Sequence, residues 1–282
     1  MKNIKFLSLI LLVLIAASCN PDGKGNLPDI ERVPIPLIKV ADNSDVLIQD
    51  PAAFKGKFTV DLLFKEDVAP KSIDIVVTKN GDYSITKVLE ANVTAFPKTV
   101  DVDVAKLATL FGISASKIVP GDFFEIGATI VTQSGLTVPA FSKTSNQFSA
   151  DVANFPGSSL KIKYPVVCPL NFDDFVGEAT VDDPNFWEGS YPVTITKEGT
   201  NILVVKGFIE DPDAVIKVVV NTKTTKTTVA STNVAPVFTP YTNLKVVGGG
   251  EIDACSKTIS LNLTYTVDQG SFGTLGLKIK MD

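Results

Sequence analysis

Histidine is absent from the 282 residues, and Arg32 is the only arginine. Without histidine, the Ser-His-Asp and Cys-His catalytic groups, histidine-ligated zinc and the common proton shuttle at neutral pH are excluded. Beyond Arg32 the chain has only lysine for binding phosphate or carboxylate, so bidentate hydrogen bonding by arginine is excluded there. The chain also contains no GxxxxGK[ST] or GxGxxG phosphate-binding motif. Together these absences argue against most hydrolase mechanisms.

Acidic side chains outnumber basic ones, with 31 Asp and Glu against 26 Lys and Arg. An acidic chain has little attraction for a phosphate backbone, so we expect no nucleic-acid partner. The glycine run at 248–250 lies in a strand-rich stretch and has no helix after it. We therefore interpret this run as a loop or bulge rather than a phosphate-binding turn.

The first residues have the pattern of a bacterial lipoprotein signal. Lys2 and Lys5 precede a short apolar run at 6–15, which small residues and then Cys19 follow. The alternative, a membrane-spanning helix, needs roughly 18 or more apolar residues, and this run is shorter. We expect residues 1–18 to be a signal peptide and Cys19 to carry the lipid that attaches the protein to a membrane.

The chain after the signal predicts an all-β protein that begins with a tether and a sandwich. Residues 19–36 are rich in Pro, Gly, Asn and Asp, as expected for an extended tether. Residues 37–143 contain short alternating strands, which predict an immunoglobulin-like or fibronectin-like β-sandwich. One helix is expected at 104–111, where the apolar spacing is helical and Gly112 supplies a terminating glycine.

A second all-β domain is expected after a linker. Residues 144–159 have the composition of a linker, whereas 160–282 contain regularly spaced strands with short turns. This spacing indicates an antiparallel β-meander, closed as a small barrel or open as a sandwich. The run at 223–228 alternates lysine with threonine pairs, so we expect an edge strand or an exposed hairpin arm there.

With Cys19 assigned to lipid, Cys168 and Cys255 remain as a pair. An exported protein meets oxidising surroundings, in which a disulfide between them is the expected state. Two reduced, buried thiols are the alternative.

Several segments carry a resemblance to a known group of proteins: the Cys19 lipobox with its short tether and sandwich domain, the passage from 104–111 to 120–126, and the cysteine-containing segments 164–170 and 254–259. In these features the chain resembles the accessory lipoproteins that Bacteroidetes encode beside outer-membrane glycan importers, the starch-utilisation-like systems. The resemblance implies a lipid-anchored outer-membrane protein that binds a nutrient or supports a transporter. The cell surface is the expected side, and the periplasmic face is the alternative.

The candidate ligand-binding residues lie in one predicted loop: Trp187, Phe186, Tyr191, Asp183 and Asn185. Sugar rings stack on exposed aromatic faces, while amides and carboxylates bind their hydroxyl groups. This loop holds the only tryptophan of the chain and is placed between strands, where binding residues concentrate. The alternative is that Trp187 and Tyr191 are core residues that close one end of the sheet.

Three aspartate pairs lie in predicted turns of the second domain: Asp173 and Asp174, Asp182 and Asp183, and Asp211 and Asp213. Their oxygens suit calcium, but none has the alternating spacing of a calcium loop, so we interpret them as solvated turn residues. A glycosidase pair would need a surrounding cleft rich in aromatic residues, which the sequence does not indicate. We predict no catalytic residue, no metal site and no cofactor.

These features favour a non-enzymatic, lipid-anchored protein that binds glycans or another nutrient as an accessory to an uptake system. Its expected partners are the membrane, a polysaccharide and outer-membrane transporter proteins. A structural or adhesive role remains open, with strand addition at the 224–230 edge. A carrier role is also open, if the barrel encloses a small hydrophobic ligand. An open cleft at Trp187 favours glycan binding, an enclosed cavity favours the carrier, and neither favours the structural role.

Overall fold

Strands account for 50% of the structure and helices for 9%, which confirms the all-β prediction. The computed structural model describes residues 31–282, of which 34–282 form one compact unit. The predicted signal peptide, the lipidation at Cys19 and most of the tether lie outside the described residues. Within the described part of the chain, no helix is long and apolar enough to cross a membrane.

The amino-terminal half is a two-sheet sandwich. Its strands are β1 (Pro36–Val40), β2 (Gly56–Leu62), β3 (Ser72–Lys79), β4 (Lys87–Val93), β5 (Lys98–Val102), β6 (Phe123–Val131), β7 (Thr137–Val138) and β8 (Lys161–Pro165). One sheet has the order β1-β2-β5, and the other has the order β4-β3-β6-β7 with β8 also paired to β6. The first, second and fifth strands thus face the third, fourth and sixth, as in immunoglobulin-like sandwiches.

Alternating side chains of both sheets form the core of the sandwich. Phe58 and Val60 of β2 are fully buried, and Ile73, Ile75 and Ile130 are buried from the opposite sheet. The helix α1 (Val104–Phe111) follows β5 and confirms the helix expected from the sequence. Its first turn is capped by an Asp103 oxygen that accepts a hydrogen bond from the Lys106 amide at 2.8 Å. Gly112 ends the helix in the left-handed conformation, with φ of 66°.

The last strand of the sandwich is interrupted, which differs from the sequence-based assignment. Both β7 and β8 pair with β6, and residues 139–160 between them form a long loop that contains the short helix α2 (Ala150–Ala153). The sequence pattern assigns 161–165 to the second domain. The backbone groups of this strand, however, pair with β6 of the sandwich. Residues 144–159 therefore connect two strands of one sheet and do not separate two domains.

The carboxy-terminal half is a closed antiparallel barrel, so the meander closes as a barrel and not as an open sandwich. Its strands are β9 (Gly177–Asp183), β10 (Gly189–Glu198), β11 (Ile202–Lys206), β12 (Val215–Val220), β13 (Lys226–Phe238), β14 (Tyr241–Asp253), β15 (Thr258–Val267) and β16 (Gly270–Met281). Consecutive strands pair, and β16 returns to β9 to close the ring. Short 3₁₀ turns lie at Ala115–Lys117, Phe172–Phe175 and Phe208–Glu210.

Closure of the barrel contradicts the edge strand expected at 223–228. Strand β13 pairs with β12 on one side and with β14 on the other. Thr227 and Val229 of this strand are buried, although the sequence there is mostly polar. Since the backbone hydrogen-bonding groups on both sides of β13 are paired, the segment 224–230 offers no free edge for strand addition.

The glycine run at 248–250 lies in the middle of β14 and is not a loop. A Cβ atom on Gly248, Gly249 or Gly250 would overlap the backbone carbonyl oxygens of Asn262, Thr227 and Ser260, respectively. The backbones of β13 and β15 thus approach β14 so closely that only glycine fits at these positions.

A short connection, a glutamine and a disulfide join the barrel to the sandwich. Cys168 in the connection is bonded to Cys255, 87 positions later in the β14–β15 turn, so the expected disulfide is present. Gln49 of the sandwich donates a hydrogen bond from Nε2 to the Thr222 carbonyl at 2.7 Å. Its Oε1 accepts one from the Leu170 amide at 3.4 Å. The β12–β13 and β14–β15 turns therefore lie at the barrel end next to the sandwich.

We expect Gly249→Ala to lower the free energy of unfolding by about 2–3 kcal/mol, because the added methyl group must push β13 away from β14. Urea unfolding at neutral pH measures this change. Gly189→Ala is the matched control, since a Cβ atom on Gly189 meets nothing within 4 Å. Equal stabilities of the two variants would contradict the close approach of the strands.

Replacing both cysteines, Cys168→Ser and Cys255→Ser, should destabilise the protein, because the bond restricts the unfolded chain. For a closed segment of this length the entropic effect is at most about 4.5 kcal/mol. Urea unfolding of the double variant, compared with the unaltered protein in oxidising buffer, measures the loss. A stability that does not change, also after addition of reductant to the unaltered protein, would contradict a stabilising disulfide.

Candidate functional site

Aromatic side chains gather at the end of the barrel that faces away from the sandwich. In an antiparallel meander, successive turns alternate between the two ends of the barrel. The turns at 184–188, 207–214, 239–240 and 268–269 therefore share the end opposite the disulfide. Five rings on or beside these turns form what we call the aromatic end: Phe186, Phe238, Tyr241, Tyr265 and Phe272.

The rings of the aromatic end contact one another in a continuous cluster. Phe186 stacks on Tyr265 with ring centroids 4.1 Å apart and on Phe238 at 5.9 Å. Phe272 meets Phe186 and Tyr241 edge to face, with centroids 5.4 Å apart in both pairs. Tyr265 forms the buried base, whereas Phe272 and Tyr241 are 38% and 36% exposed. The cluster thus runs from the barrel interior to the solvent.

The β13–β14 hairpin adds an apolar tip to this end. Phe238 pairs with Tyr241 across the turn, and β13 changes register just before it, between Asn233 and Ala235. Val237 at the tip is 76% exposed, the largest exposed fraction among the exposed large hydrophobic residues of the described chain. Isolated apolar residues on a surface are ordinary, but one beside exposed aromatic rings enlarges an apolar patch.

Polar side chains border the exposed rings. Asp268 accepts hydrogen bonds from Thr242 Oγ1 at 2.9 Å and from Asn243 Nδ2 at 2.6 Å. Gln269 donates from Nε2 to Thr242 Oγ1 at 3.2 Å, and Asn233 donates to the Asn243 side-chain oxygen at 3.0 Å. The hydrogen bonds from Asn243 and Thr242 hold the pKa of Asp268 below its usual value, so this carboxylate is ionised at neutral pH. A carboxylate and several amides therefore lie beside the aromatic surface.

The residues of the predicted ligand-binding loop differ in what they contribute to the aromatic end. Asp183 is fully buried, and its Oδ1 accepts hydrogen bonds from the amides of Phe186 at 2.9 Å and Asn185 at 3.3 Å. Its Oδ2 accepts a hydrogen bond from the Tyr265 hydroxyl at 3.4 Å. Asn185 is exposed, but its side chain donates to the Gly276 carbonyl at 3.0 Å. Asp183 thus orders the loop and places Phe186 on Tyr265, and it has no surface for a ligand.

Trp187 and Tyr191 lie beside this cluster and pack against the barrel core. Tyr191 is 1% exposed, and its ring meets Phe208 edge to face at 6.4 Å. Trp187 is partly buried and contacts Tyr191 at 6.2 Å. Tyr191 therefore has no free face for stacking, as the core interpretation of this residue requires, whereas part of Trp187 reaches the surface.

Sequence reasoning did not identify Phe238, Tyr241, Phe272 and Asp268. They come from two hairpins that follow the predicted loop by about 50 and 80 positions, and only the barrel brings all three segments together. The signal that could have found them is the apolar and aromatic tip at 236–241, which is unusual for a turn between two polar strand ends.

The aspartate pairs of the predicted turns take part in local contacts. Asp173 forms an ion pair with Lys197, and Asp211 caps its own turn by accepting a hydrogen bond from the Asp213 amide at 2.9 Å. Within residues 31–282, no group of three or more histidine, cysteine or acidic side chains is arranged to hold a metal ion.

Comparisons of the chain with family models, with curated proteins and with solved structures found no match. The functional interpretation therefore rests on the geometry of the barrel end.

Burial of Tyr265 predicts a loss of stability at high pH. Burial, together with the nearby Asp183 charge, raises the pKa of the Tyr265 phenol above its ordinary value. Above about pH 10 the phenol ionises in the unfolded chain but stays protonated in the folded one, so the free energy of unfolding falls as pH rises. Each such phenol contributes about 1.4 kcal/mol per pH unit.

Tyr265→Phe should therefore make the free energy of unfolding less steeply dependent on pH above about pH 10, by about that amount. Urea unfolding at several pH values from neutral to about pH 11 measures this slope, and the neutral points serve as the internal control. Equal alkaline slopes for the variant and the unaltered protein would contradict the raised pKa.

Proposed function

We propose that this protein is a non-enzymatic, lipid-anchored outer-membrane protein that binds glycans with the aromatic end of its barrel, as an accessory to an uptake system. The observation that carries the proposal is the exposure of the Phe272 and Tyr241 rings, at 38% and 36%, beside the ionised Asp268. The amides of Asn243 and Gln269 lie in the same hydrogen-bonded group.

Exposed aromatic rings with polar side chains next to them suit the chemistry of a sugar ring. One face of a pyranose carries mostly C–H groups and packs on an aromatic ring, while its hydroxyl groups bind amides and carboxylates. Phe272 and Tyr241 supply the aromatic faces, and Asp268 with its amide neighbours supplies the polar groups. Phe272 is held by its contacts with Phe186 and Phe238, and Tyr241 by its contact with Phe272, so little side-chain freedom is lost when a ligand binds.

The path of the chain supports a ligand-binding role for the aromatic end. Pro36 at the start of β1 pairs with Leu62 at the end of β2. At the other end of β2 the ring of Phe54 packs on Tyr164, next to the connection that leads to the barrel. The described chain thus begins at the sandwich end opposite the barrel, and the aromatic end is the barrel end opposite the sandwich.

A structural or adhesive role is the second candidate, and Val237 favours it. An apolar side chain that is 76% exposed at a hairpin tip is suited to burial against another protein, such as an outer-membrane transporter. The carrier role gains no such support. Side chains such as Val181, Ile216, Leu261 and Leu263 are buried inside the barrel and fill the space that a ligand would need.

We expect the double variant Phe272→Ala and Tyr241→Ala to bind glycans at least about tenfold more weakly than the unaltered protein, because each lost ring contact costs about 1 kcal/mol. A glycan-array screen of the soluble chain from Asn20 onward identifies the ligand. Titration of that glycan, followed by the emission of Trp187, gives the dissociation constant.

Phe64→Ala is the matched control, because Phe64 is 44% exposed but lies in the sandwich. It should leave the affinity unchanged. A double variant that binds as tightly as the unaltered protein would place glycan binding elsewhere. The absence of binding to any glycan on the array would favour the protein-binding alternative.

A further inference from the structure

A cavity lies in the sandwich beneath the loop that interrupts its last strand. The loop at 139–160 is longer than the connections usual in a compact domain, and such loops commonly have a function of their own. The cavity that this loop forms with Tyr83 and Lys161 has a volume of about 310 Å³ and is open to solvent on one side. This volume is at the lower end of the roughly 300–1,000 Å³ of small-molecule sites, so it suits a small ligand.

Two hydrogen bonds and a glycine fix the loop on β6. The Ala140 amide donates to Thr129 Oγ1 at 3.1 Å, and Gln147 Nε2 donates to the Ala128 carbonyl at 2.7 Å. A Cβ atom on Gly127 would lie 2.9 Å from the Ala140 Cβ atom. The loop therefore lies directly on the strand at its start and is tied again at Gln147, and residues on both sides of Gln147 line the cavity.

The walls of the cavity are mostly apolar. The Tyr83 ring stacks on Phe141, with centroids 5.1 Å apart and planes 14° apart. Other apolar lining residues come from the loop and α2: Ala140, Phe148, Ala150, Ala153 and Leu160. A ligand that binds there needs an apolar face of its own.

The one cation that lines the cavity is already paired. Lys161 donates from Nζ to Glu125 Oε1 at 2.9 Å, and Tyr83 donates from its hydroxyl to Glu125 Oε2 at 3.1 Å. Glu125 is buried, so this ion pair is only partly screened by water. Because the two charges compensate each other, the cavity favours an uncharged ligand over a phosphate or a carboxylate.

Two asparagines supply free hydrogen-bonding groups. Asn146 and Asn154 both line the cavity, and within residues 31–282 their side-chain amides make no hydrogen bond to the protein. Each amide offers both a donor and an acceptor, which matches a pair of neighbouring hydroxyl groups on a ligand.

We infer that this cavity is a second binding site, which takes one uncharged sugar residue. A small ligand with an apolar face, several hydroxyl groups and no charge meets every feature of the site. The choice of a sugar rests on the glycan-binding function proposed for the barrel. Two sites on one chain would raise the avidity for a polymeric glycan without requiring a tight contact at either site.

Saturation-transfer NMR tests this inference on the mature chain with Cys19→Ser, using glucose, galactose, mannose and N-acetylglucosamine as probes. The barrel site is first removed with Phe272→Ala and Tyr241→Ala. Transfer to at least one sugar should persist in that protein. It should be lost when Ala153→Phe fills the cavity, and Asn154→Ala should weaken the affinity about tenfold. Ala230→Phe, which adds the same ring to an exposed position on the barrel, should have no effect.

The emission of Trp187 separates the two sites, because Trp187 lies at the barrel end. Transfer that disappears with the barrel-end variant overturns the cavity site and leaves the proposed function intact. In the protein with an intact barrel end, a sugar whose transfer depends on Ala153 and Asn154 and that leaves the Trp187 emission unchanged supports the cavity site and contradicts the barrel site. Transfer that is insensitive to both cavity variants, or absent with all four sugars, overturns the inference. If Ala153→Phe does not fold, as judged by circular dichroism, Asn154→Ala still decides the outcome.

Discussion

Strand β16 pairs with β9 from Lys278 to Met281, and this pairing turns a linear meander into a ring. Without it, both strands would present unpaired backbone groups, and the side chains of one face would be open to water. With it, residues as far apart as Val181 and Ile279 share one buried interior. The glycines at 248–250 serve the same closure, because they let β13 and β15 approach β14 closely on both sides.

The filled interior of the barrel also determines where the aromatic rings of the turns lie. The barrel has no room for further large side chains, so the rings that come from the turns stack on top of the core and remain partly exposed. Asp183 is central to this arrangement, because it connects the 184–188 turn to Tyr265 and so seats Phe186 on the core. Phe186 in turn contacts Phe272, and Phe272 contacts Tyr241, so the two exposed rings are supported by the core through Phe186.

Local patterns and the cysteine count predicted those parts of the structure that do not depend on how the strands pair. The helix α1 follows from its apolar spacing and Gly112, and the disulfide follows from the pair that remains once Cys19 is set aside. Non-local pairing between strands accounts for the errors. Nothing within 161–165 shows that this strand pairs with β6, and nothing within 223–228 shows that the barrel closes around it. The same reason explains why the loop at Trp187 was found but its partners Phe238, Tyr241 and Phe272 were not.

The disulfide between Cys168 and Cys255 has a mechanical consequence. If a bound polymer pulls on the aromatic end while the start of the chain is held, tension passes from β8 through the connection towards β9. Strand β9 alone would then be peeled from β10 and β16, one hydrogen bond after another. The bond to the β14–β15 turn offers the tension a second route, into two long strands that are paired along most of their length. The force is thereby distributed over several strands at once, and many backbone hydrogen bonds must break together before a strand separates.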